Sequence, residues 1–433
     1  MASSRSIVIS EDMFKLLSPM WRLGRLFGLL PLQWKKSGST YVIRKSRILM
    51  AYSNVVAVFF VFASVFGWMR LYELDVVYMI KLGNNTKRYV TFSDVGVVLC
   101  PSFMGVLVTS LKIDRYVDYI DCLNKVDSLL QKHPPKYSKY LYVIATTMAF
   151  TTFIFVYDLV LWIKISDHLL NVGFLLLYYV PYYVCYYFSI VMELMYWHLV
   201  YSIRVRIVLL NESLVEIGQN LEPFFTRNCR KIMNNVVDAA KVNNLKQQEM
   251  EKNGKSVIHA FMYRFSKILA IAKGRIRDLI DAYQKLIEAS KSVNDCYGLI
   301  ILLLLMGCLI HLLVCPYTLY NLIIANSDDG YISIIAQSLW MLGHMARLLL
   351  IVEPCHGCLT EASGTAALIC QLSCTDLCRE IKKFLKTFIL LLSQCKIEFT
   401  ALGLAQIQRG VLTTIAGAVT TYLVILFQFN TQE

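Results

Sequence analysis

The chain has 433 residues, of which 57% are hydrophobic and 17% charged, and its formal net charge is +13. A composition this apolar excludes an ordinary soluble domain and identifies a polytopic membrane protein. The positive excess borders the membrane rather than forming a nucleic-acid surface, so anionic lipid is the partner it implies and nucleic acid is excluded.

Residues 1–49 are basic and broken, with no compact apolar core followed by a small-residue cleavage site, and read as a cytoplasmic N-terminal segment. Seven stretches then reach the length of about 20 apolar residues that a helix needs to cross a bilayer. They lie near 50–69, 89–111, 140–163, 169–200, 297–325, 331–352 and 410–429. The fourth is overlong and contains Pro181, so a kink or an extension beyond the lipid is expected. Nearly all of the 43 lysines and arginines fall in alternate connections. Arg70, Lys81, Lys87, Arg88 and Lys164 are the exceptions on the other side, and Arg347 lies inside the sixth span. Positive charge retained on the cytoplasmic face places the N-terminus inside and, with an odd number of spans, Glu433 outside. The sequon Asn84-Asn85-Thr86 then falls in an outward loop.

The connections are patterned too. Tyr116, Ile120, Leu123, Val126 and Leu130 share one helical face until His133-Pro134-Pro135. Phe265, Ile268, Ala272, Ile276, Leu279, Tyr283 and Leu286 do the same below the fifth span. These cytoplasmic helices need apolar partners, either within one subunit or in a base where several subunits meet. Residues 240–256 are too polar for a core and read as a mobile linker. The division expected is 1–49, a ligand-sensing six-helix bundle over 50–352, a cytoplasmic anchor over 353–409, and a seventh helix with a short tail over 410–433.

No phosphate-cradling loop, nucleophile elbow or paired-His motif is present, so no enzyme and no cofactor are expected. Cys355-His356-Gly357-Cys358 has metal-ligand spacing, and Cys370, Cys374 and Cys378 recur each helical turn. Buried small hydrophobes are the prevailing reading of these cysteines, and no metal is assigned. The 13 cysteines are expected as thiols.

Ionisable groups inside hydrocarbon point to cavities or partners. Asp94, Asp158 and Glu193 are the acidic ones. At similar depth to Asp94 and Asp158 come Tyr178, Tyr179, Tyr182, Tyr183, Tyr317, Thr318, Gln337 and Trp340, while His344 and Arg347 follow toward the inside, where they suit helix-bundle bonding instead. Aromatic faces beside carboxylates and amides suit a polyhydroxylated ligand, a sugar or polyol, in an outer-leaflet pocket. The alternative is an interfacial aromatic belt. In the last span Thr414, Thr421 and Gln428 are spaced by seven, with Gly410 and Gly417 on an adjacent stripe. Such a face packs closely against another helix or, in several copies, lines a water-filled path with Phe429 at its constriction.

Thr421-Tyr422, five hydrophobic residues and Gln428-Phe429 match the TYhhhhhQF signature of the insect gustatory receptor family, which the seven-span architecture also resembles. Trp340, His344, Arg347 and the "VEPCH" run at 352–356 look like the corresponding stretch of its fructose-responding branch. The resemblance implies an all-α membrane fold shared with insect odorant receptors, seven transmembrane helices, and a homotetrameric or mixed gustatory-receptor assembly at the plasma membrane of chemosensory neurons. It further implies a ligand-gated nonselective cation channel, opened by a sugar, fructose first. Asp94, Asp158, Tyr182, Thr318, Gln337, Trp340 and His344 become its ligand-site candidates, and Thr421, Gln428 and Phe429 its pore and gate. Asp328, Asp329 and Glu433 would favour cations at the outer mouth, or are ordinary solvated loop charges. A G-protein-coupled receptor, which needs the opposite topology, and a sugar transporter, which needs a repeat not seen here, are the rival readings.

Overall fold

The computed structural model describes residues 6–73, 85–132, 138–166, 172–240, 247–325, 330–375 and 377–430. The N-terminal segment folds into a unit that sequence patterning did not announce. Strand β1 (Ser6–Ser10) leads into α1 (Glu11–Leu26), followed by β2 (Leu32–Ser37) and β3 (Thr40–Lys45). The strands form an antiparallel sheet in the order β1-β3-β2. Ser10 caps α1 by accepting from the Met13 amide at 3.2 Å. The alternation of β1 and β3 puts Ile7, Ile9 and Ile43 inward against Met13, Leu17 and Trp21 of α1. Only two residues separate β2 from β3, and Gly38 there takes φ +63°, a conformation a side chain would disfavour.

The bundle follows in chain order: α2 (Arg47–Glu73), α3 (Asn85–Leu111), α4 (Ile113–Leu130), α5 (Ser138–Ser166), α6 (Val172–Ala240), α7 (Gln247–Ala325) and α8 (Gly330–Cys374). Then come α9 (Arg379–Gln394), a two-strand hairpin β4 (Thr400–Ala401) and β5 (Ala405–Gln406), and α10 (Arg409–Asn430). Among the described residues, α2, α5, α6, α7 and α8 are long and apolar enough to cross a membrane, α3 and α4 form a further pair bent by 65°, and α10 is a shorter apolar helix. Each of the seven expected spans thus coincides with one helix. The fourth runs on beyond the lipid as α6. The expected linker at 240–256 is partly helical, since α7 begins at Gln247, while residues 241–246 lie outside the described ones. The sequon asparagine, Asp328, Asp329 and Glu433 lie outside them as well.

Below the membrane, the amphipathic faces meet as their periodicity requires. Tyr116, Ile120, Leu123, Val126 and Leu130 of α4 are buried together with Ala272, Ile276, Leu279, Tyr283 and Leu286 of α7. The Trp21 indole donates to the Tyr116 hydroxyl at 2.8 Å, which pins the N-terminal unit to this base. Arg206 of α6 is fully buried and meets Asp127 of α4 in two hydrogen bonds of 2.7 and 2.6 Å. Burial alone would push the guanidinium pKa down, but the adjacent carboxylate more than offsets it.

The hairpin rests on α7, where Asn294 donates to the Glu398 carbonyl at 2.9 Å and accepts from the Thr400 amide at 3.1 Å. A Cβ on Gly298 would sit 3.0 Å from the Leu402 nitrogen, so glycine permits this approach. Directly after the hairpin, Arg409 grips Glu353 of α8 at 2.9 Å through two nitrogens. That hydrogen bond holds the Glu353 carboxyl below its usual range.

Asp127→Ala would leave the Arg206 charge buried without its partner. We expect a loss of about 3–5 kcal/mol, read as a lower thermal midpoint of the detergent-solubilised protein. An unchanged midpoint would mean that the pair does not hold the cytoplasmic base.

Candidate functional site

Three helices position the site. On α6, Tyr179, Tyr183, Tyr186 and Glu193 recur at helical spacing, and on α8, Trp340, His344 and Arg347 do the same. These two stripes face each other, and α5 closes the third side with Phe155 and Asp158.

At the outer end, Asp158 collects two donors. The Tyr183 hydroxyl donates to Oδ2 at 2.6 Å, and the Trp340 indole Nε1 donates to Oδ1 at 3.2 Å. Phe155 stacks on Tyr183 with ring centroids 4.9 Å apart. It also lies against Trp340 at 5.8 Å and edge-on to Tyr186 at 5.3 Å. Aromatic rings at these separations and tilts attract one another through their quadrupoles as well as by burial.

At the inner end stands a pair of opposite charges. Glu193 has no exposed surface, and Arg347 reaches it through Nε at 3.0 and 3.1 Å and through Nη2 at 2.7 Å. The same guanidinium donates from Nη1 to the Tyr186 hydroxyl at 2.6 Å and lies 4.7 Å from the centre of that ring. His344 Nδ1 is 3.3 Å from the same hydroxyl, and its ring stacks on His311 of α7 at 4.0 Å. Five side chains from three helices therefore form one connected group. An isolated charge in hydrocarbon is expensive, and a bidentate pair with its remaining protons satisfied is how a bundle tolerates one.

From Trp340 inward past Arg347 runs a cavity of about 260 Å³. Phe155, Tyr186, Trp340 and Arg347 line it together with the small or hydroxyl-bearing Thr151 and Gly343. Its polar contacts come from Thr146, Thr147, Thr151, Tyr186 and Arg347, while Phe150, Ile154, Ile190 and Leu350 supply apolar wall. The volume lies just below the roughly 300–1,000 Å³ of typical ligand pockets, which limits an occupant to a small molecule. The lining residues of α5 precede Asp158 and begin within three turns of the cytoplasmic end of that helix, so the cavity reaches deeper than the outer-leaflet pocket expected from sequence.

Of the candidate ligand residues, Asp158, Trp340 and His344 are brought together. Tyr182 is buried on a neighbouring stripe against Trp68, with ring centroids 5.9 Å apart. Thr318 donates to the Val314 carbonyl of its own helix at 3.0 Å. Gln337 donates to the Cys315 carbonyl at 3.5 Å and so ties α8 to α7, and neither Thr318 nor Gln337 lines the cavity. The side chain of Asp94 lies outside the described residues. Sequence reasoning passed over Phe155, Tyr186, Thr151 and His311. Tyr186 carried a usable signal, since it continues the Tyr179–Tyr183 stripe by a further turn toward Glu193. Cys355 and Cys358 are buried, and the Cys355 thiol is 3.1 Å from the Tyr196 hydroxyl. Among the described residues, no group of three or more potential ligands could hold a metal ion.

The seventh span is built differently. Among the described side chains of α10, Val411, Leu412, Ile415 and Val419 pack on the core along one stripe, and Arg409 holds Glu353. Gly410, Thr414, Gly417, Thr421 and Gln428 are exposed, as are Tyr422, Val424 and Ile425. Nothing approaches within 4 Å of where a Cβ on Gly410 or Gly417 would stand. The threonine hydroxyls are satisfied within the helix, Thr414 donating to Gly410 at 3.0 Å and Thr421 to Gly417 at 2.9 Å. The side chain of Phe429 lies outside the described residues.

Residues 17–433 match the sequence model described as 7tm Chemosensory receptor. The chain is 26% identical over 415 residues to the Drosophila melanogaster gustatory receptor for sugar taste 43a, covering 90% of this chain and 91% of that one. It is 30% identical over 154 residues to the Drosophila melanogaster gustatory and pheromone receptor 32a, a match covering 35% and 32% of the two chains. Its fold is similar to the insect olfactory receptor OR5 of Machilis hrabei, with a TM-score of 0.57 and 11% identity over 97% of this chain and 100% of that one. The same receptor in complex with eugenol is similar at a TM-score of 0.50.

Glu193→Gln would leave Arg347 charged and unpaired in the bundle, at a cost of about 3–5 kcal/mol. Asp158→Asn keeps one acceptor oxygen for the neutral Tyr183 and Trp340 donors and should cost about 1 kcal/mol. Thermal melts of the two purified variants test the ranking, and a larger loss for Asp158→Asn would contradict it.

Proposed function

The chain belongs to the 7tm chemosensory receptor family, and from that premise we propose that it is a gustatory receptor acting as a sugar-gated cation channel. The observation that carries this reading is the uncovered polar line of α10. Gly410, Thr414, Gly417 and Thr421 are exposed on the side of the helix opposite Ile415 and Val419, which pack on the core, and Gln428 continues their line by its spacing in the sequence. A membrane helix held by one stripe, with glycines and hydroxyls on its free face, is suited to meet its own copies around an axis. A homotetramer, or a mixed assembly with other gustatory receptors, would supply those copies.

The ligand reading follows from the cavity. Phe155, Tyr186 and Trp340 offer faces for the C–H surface of a sugar, and the threonines, Tyr186 and Arg347 offer hydrogen bonds to its hydroxyls. Asp158 holds the Trp340 and Tyr183 side chains at the cavity's outer end and so acts by positioning them. The sugar-taste name of a relative matched along most of its length supports a sugar as agonist, with fructose the first to test. Sugar would favour the open arrangement by its differential affinity for it, moving α10 so that Phe429 leaves the axis and Gln428 turns toward the ions. The plasma membrane of chemosensory neurons is the location this function requires.

Expression of this chain alone in a non-insect cell, with currents recorded against a panel of sugars and polyols, tests the proposal. Agonist-evoked cation current without added G protein is expected, with Phe429→Ala raising leak in the absence of sugar. Trp340→Ala should raise the half-activating concentration at least about tenfold, the equivalent of one lost contact of about 1.4 kcal/mol. Absence of any sugar- or polyol-evoked current would overturn the reading.

A further inference from the structure

The N-terminal unit sorts its charge along its length. Glu11 and Asp12 stand at the start of α1, where Lys15 pairs with Glu11 at 3.2 Å and Lys36 approaches it at 3.9 Å. The helix then runs back toward the bilayer, because its end and the turn after it sit against α2. A Cβ on Gly28 would lie 3.0 Å from the Ser53 Cα, and the Ser46 amide donates to the Pro31 carbonyl at 3.0 Å. Arg22 and Arg25 fall in the last turns of α1, and Arg44 and Arg47 flank the point where β3 feeds α2. All four are exposed. Lys45 at the same level is already paired with Asp114 at 3.1 Å, so it is not counted with them.

A lipid-facing surface begins at that level. Along α2, Ile48, Tyr52, Val55, Phe59, Phe62, Phe66 and Met69 are exposed at alternating steps of three and four, one unbroken helical face. Ile48, at 79% exposure, and Leu26, at 69%, lie at its inner rim beside the arginines. Arg25 also lies 5.2 Å from the centre of the Trp34 ring, which sets the guanidinium near the edge strand β2.

We propose that this rim binds an acidic phospholipid of the cytoplasmic leaflet, its headgroup at Arg22, Arg25 and Arg47, where the end of α1 meets the start of α2, and its acyl chain along the Ile48–Phe59 face of α2. Arg44 alternates to the far face of the sheet and is not part of this site. Cations at the membrane surface attract anionic headgroups, and guanidinium groups hold phosphate oxygens in pairs. The apolar face adds what a soluble phosphate lacks, burial of the chain. The folded cap matters because it seats the end of α1, which carries residues 22 and 25, against the first turns of α2, which begins at residue 47; a disordered segment would not fix this.

Native mass spectrometry of the full chain tests this after exchange into mixed micelles carrying phosphatidylserine or phosphatidylcholine. Retention of phosphatidylserine over phosphatidylcholine is expected, falling about fivefold for each arginine changed to glutamine. Lys15→Gln, the same charge change at the acidic end of α1, should leave the preference intact. The combined Arg22, Arg25 and Arg47 to Gln variant is accepted only if its thermal midpoint matches the parent. Should its midpoint fall, the single Arg47→Gln variant takes its place. Equal retention of the two lipids by the parent, or an undiminished preference in the variant, would overturn the proposal. So would displacement by glycerophosphoserine as readily as by the intact lipid. The readout involves no sugar and no current, so it stands apart from the gating proposal.

Discussion

Arg347 carries into the bundle a charge that hydrocarbon does not tolerate alone, and the way it is satisfied sets the geometry around it. Both carboxylate oxygens of Glu193 accept from it, and Tyr186 takes the next proton. Removing either charged partner would leave the other stranded, so α6 and α8 are held at one relative height and rotation. With that register fixed, Trp340 lies two turns outward on α8 and Tyr183 two to three turns outward on α6. They meet at Asp158 of α5. The cavity runs beside these groups, with Trp340 at its outer end, Arg347 on its side and Leu350 further inward.

The same helix connects the cavity to the last span. Leu350 lines the cavity, and Glu353, about one turn further along α8, holds Arg409 at the first turn of α10. Exposed ion pairs contribute little to stability, so this one is not what keeps α10 in place. Its position gives it a different use: it joins the helix that borders the cavity to the helix whose polar face is uncovered. The contrast between the two ends of α8 is physical. The buried charge pair resists displacement, and the exposed one can exchange partners with water at little cost.

Much of the membrane architecture was legible because bilayer thickness imposes a length on every span and positive charge imposes an orientation. The buried faces of α4 and α7 were legible for the same kind of reason, since Tyr116, Ile120 and Ile276, Leu279 recur at helical spacing. The N-terminal unit was hidden. Its strands are five or six residues long, with lysines on β2, and only pairing across β3 reveals them as a sheet. The site was half legible. Asp158, Trp340 and His344 stood out as polar or aromatic groups within spans, whereas Phe155 and Thr151 look like any other membrane residue until three helices are assembled. Thr318 and Gln337 share a depth with the site but satisfy backbone carbonyls instead, a choice that depth alone does not reveal.

Density for the purified assembly in lipid, with and without fructose, addresses the account most directly. It predicts copies of α10 around a shared axis with Thr414, Thr421 and Gln428 toward it, and sugar density between α5, α6 and α8. It also predicts a Glu193–Arg347 pair unchanged by ligand while α10 shifts. An α10 that lies at the periphery against lipid, with its polar face turned away from any conduit, would contradict it.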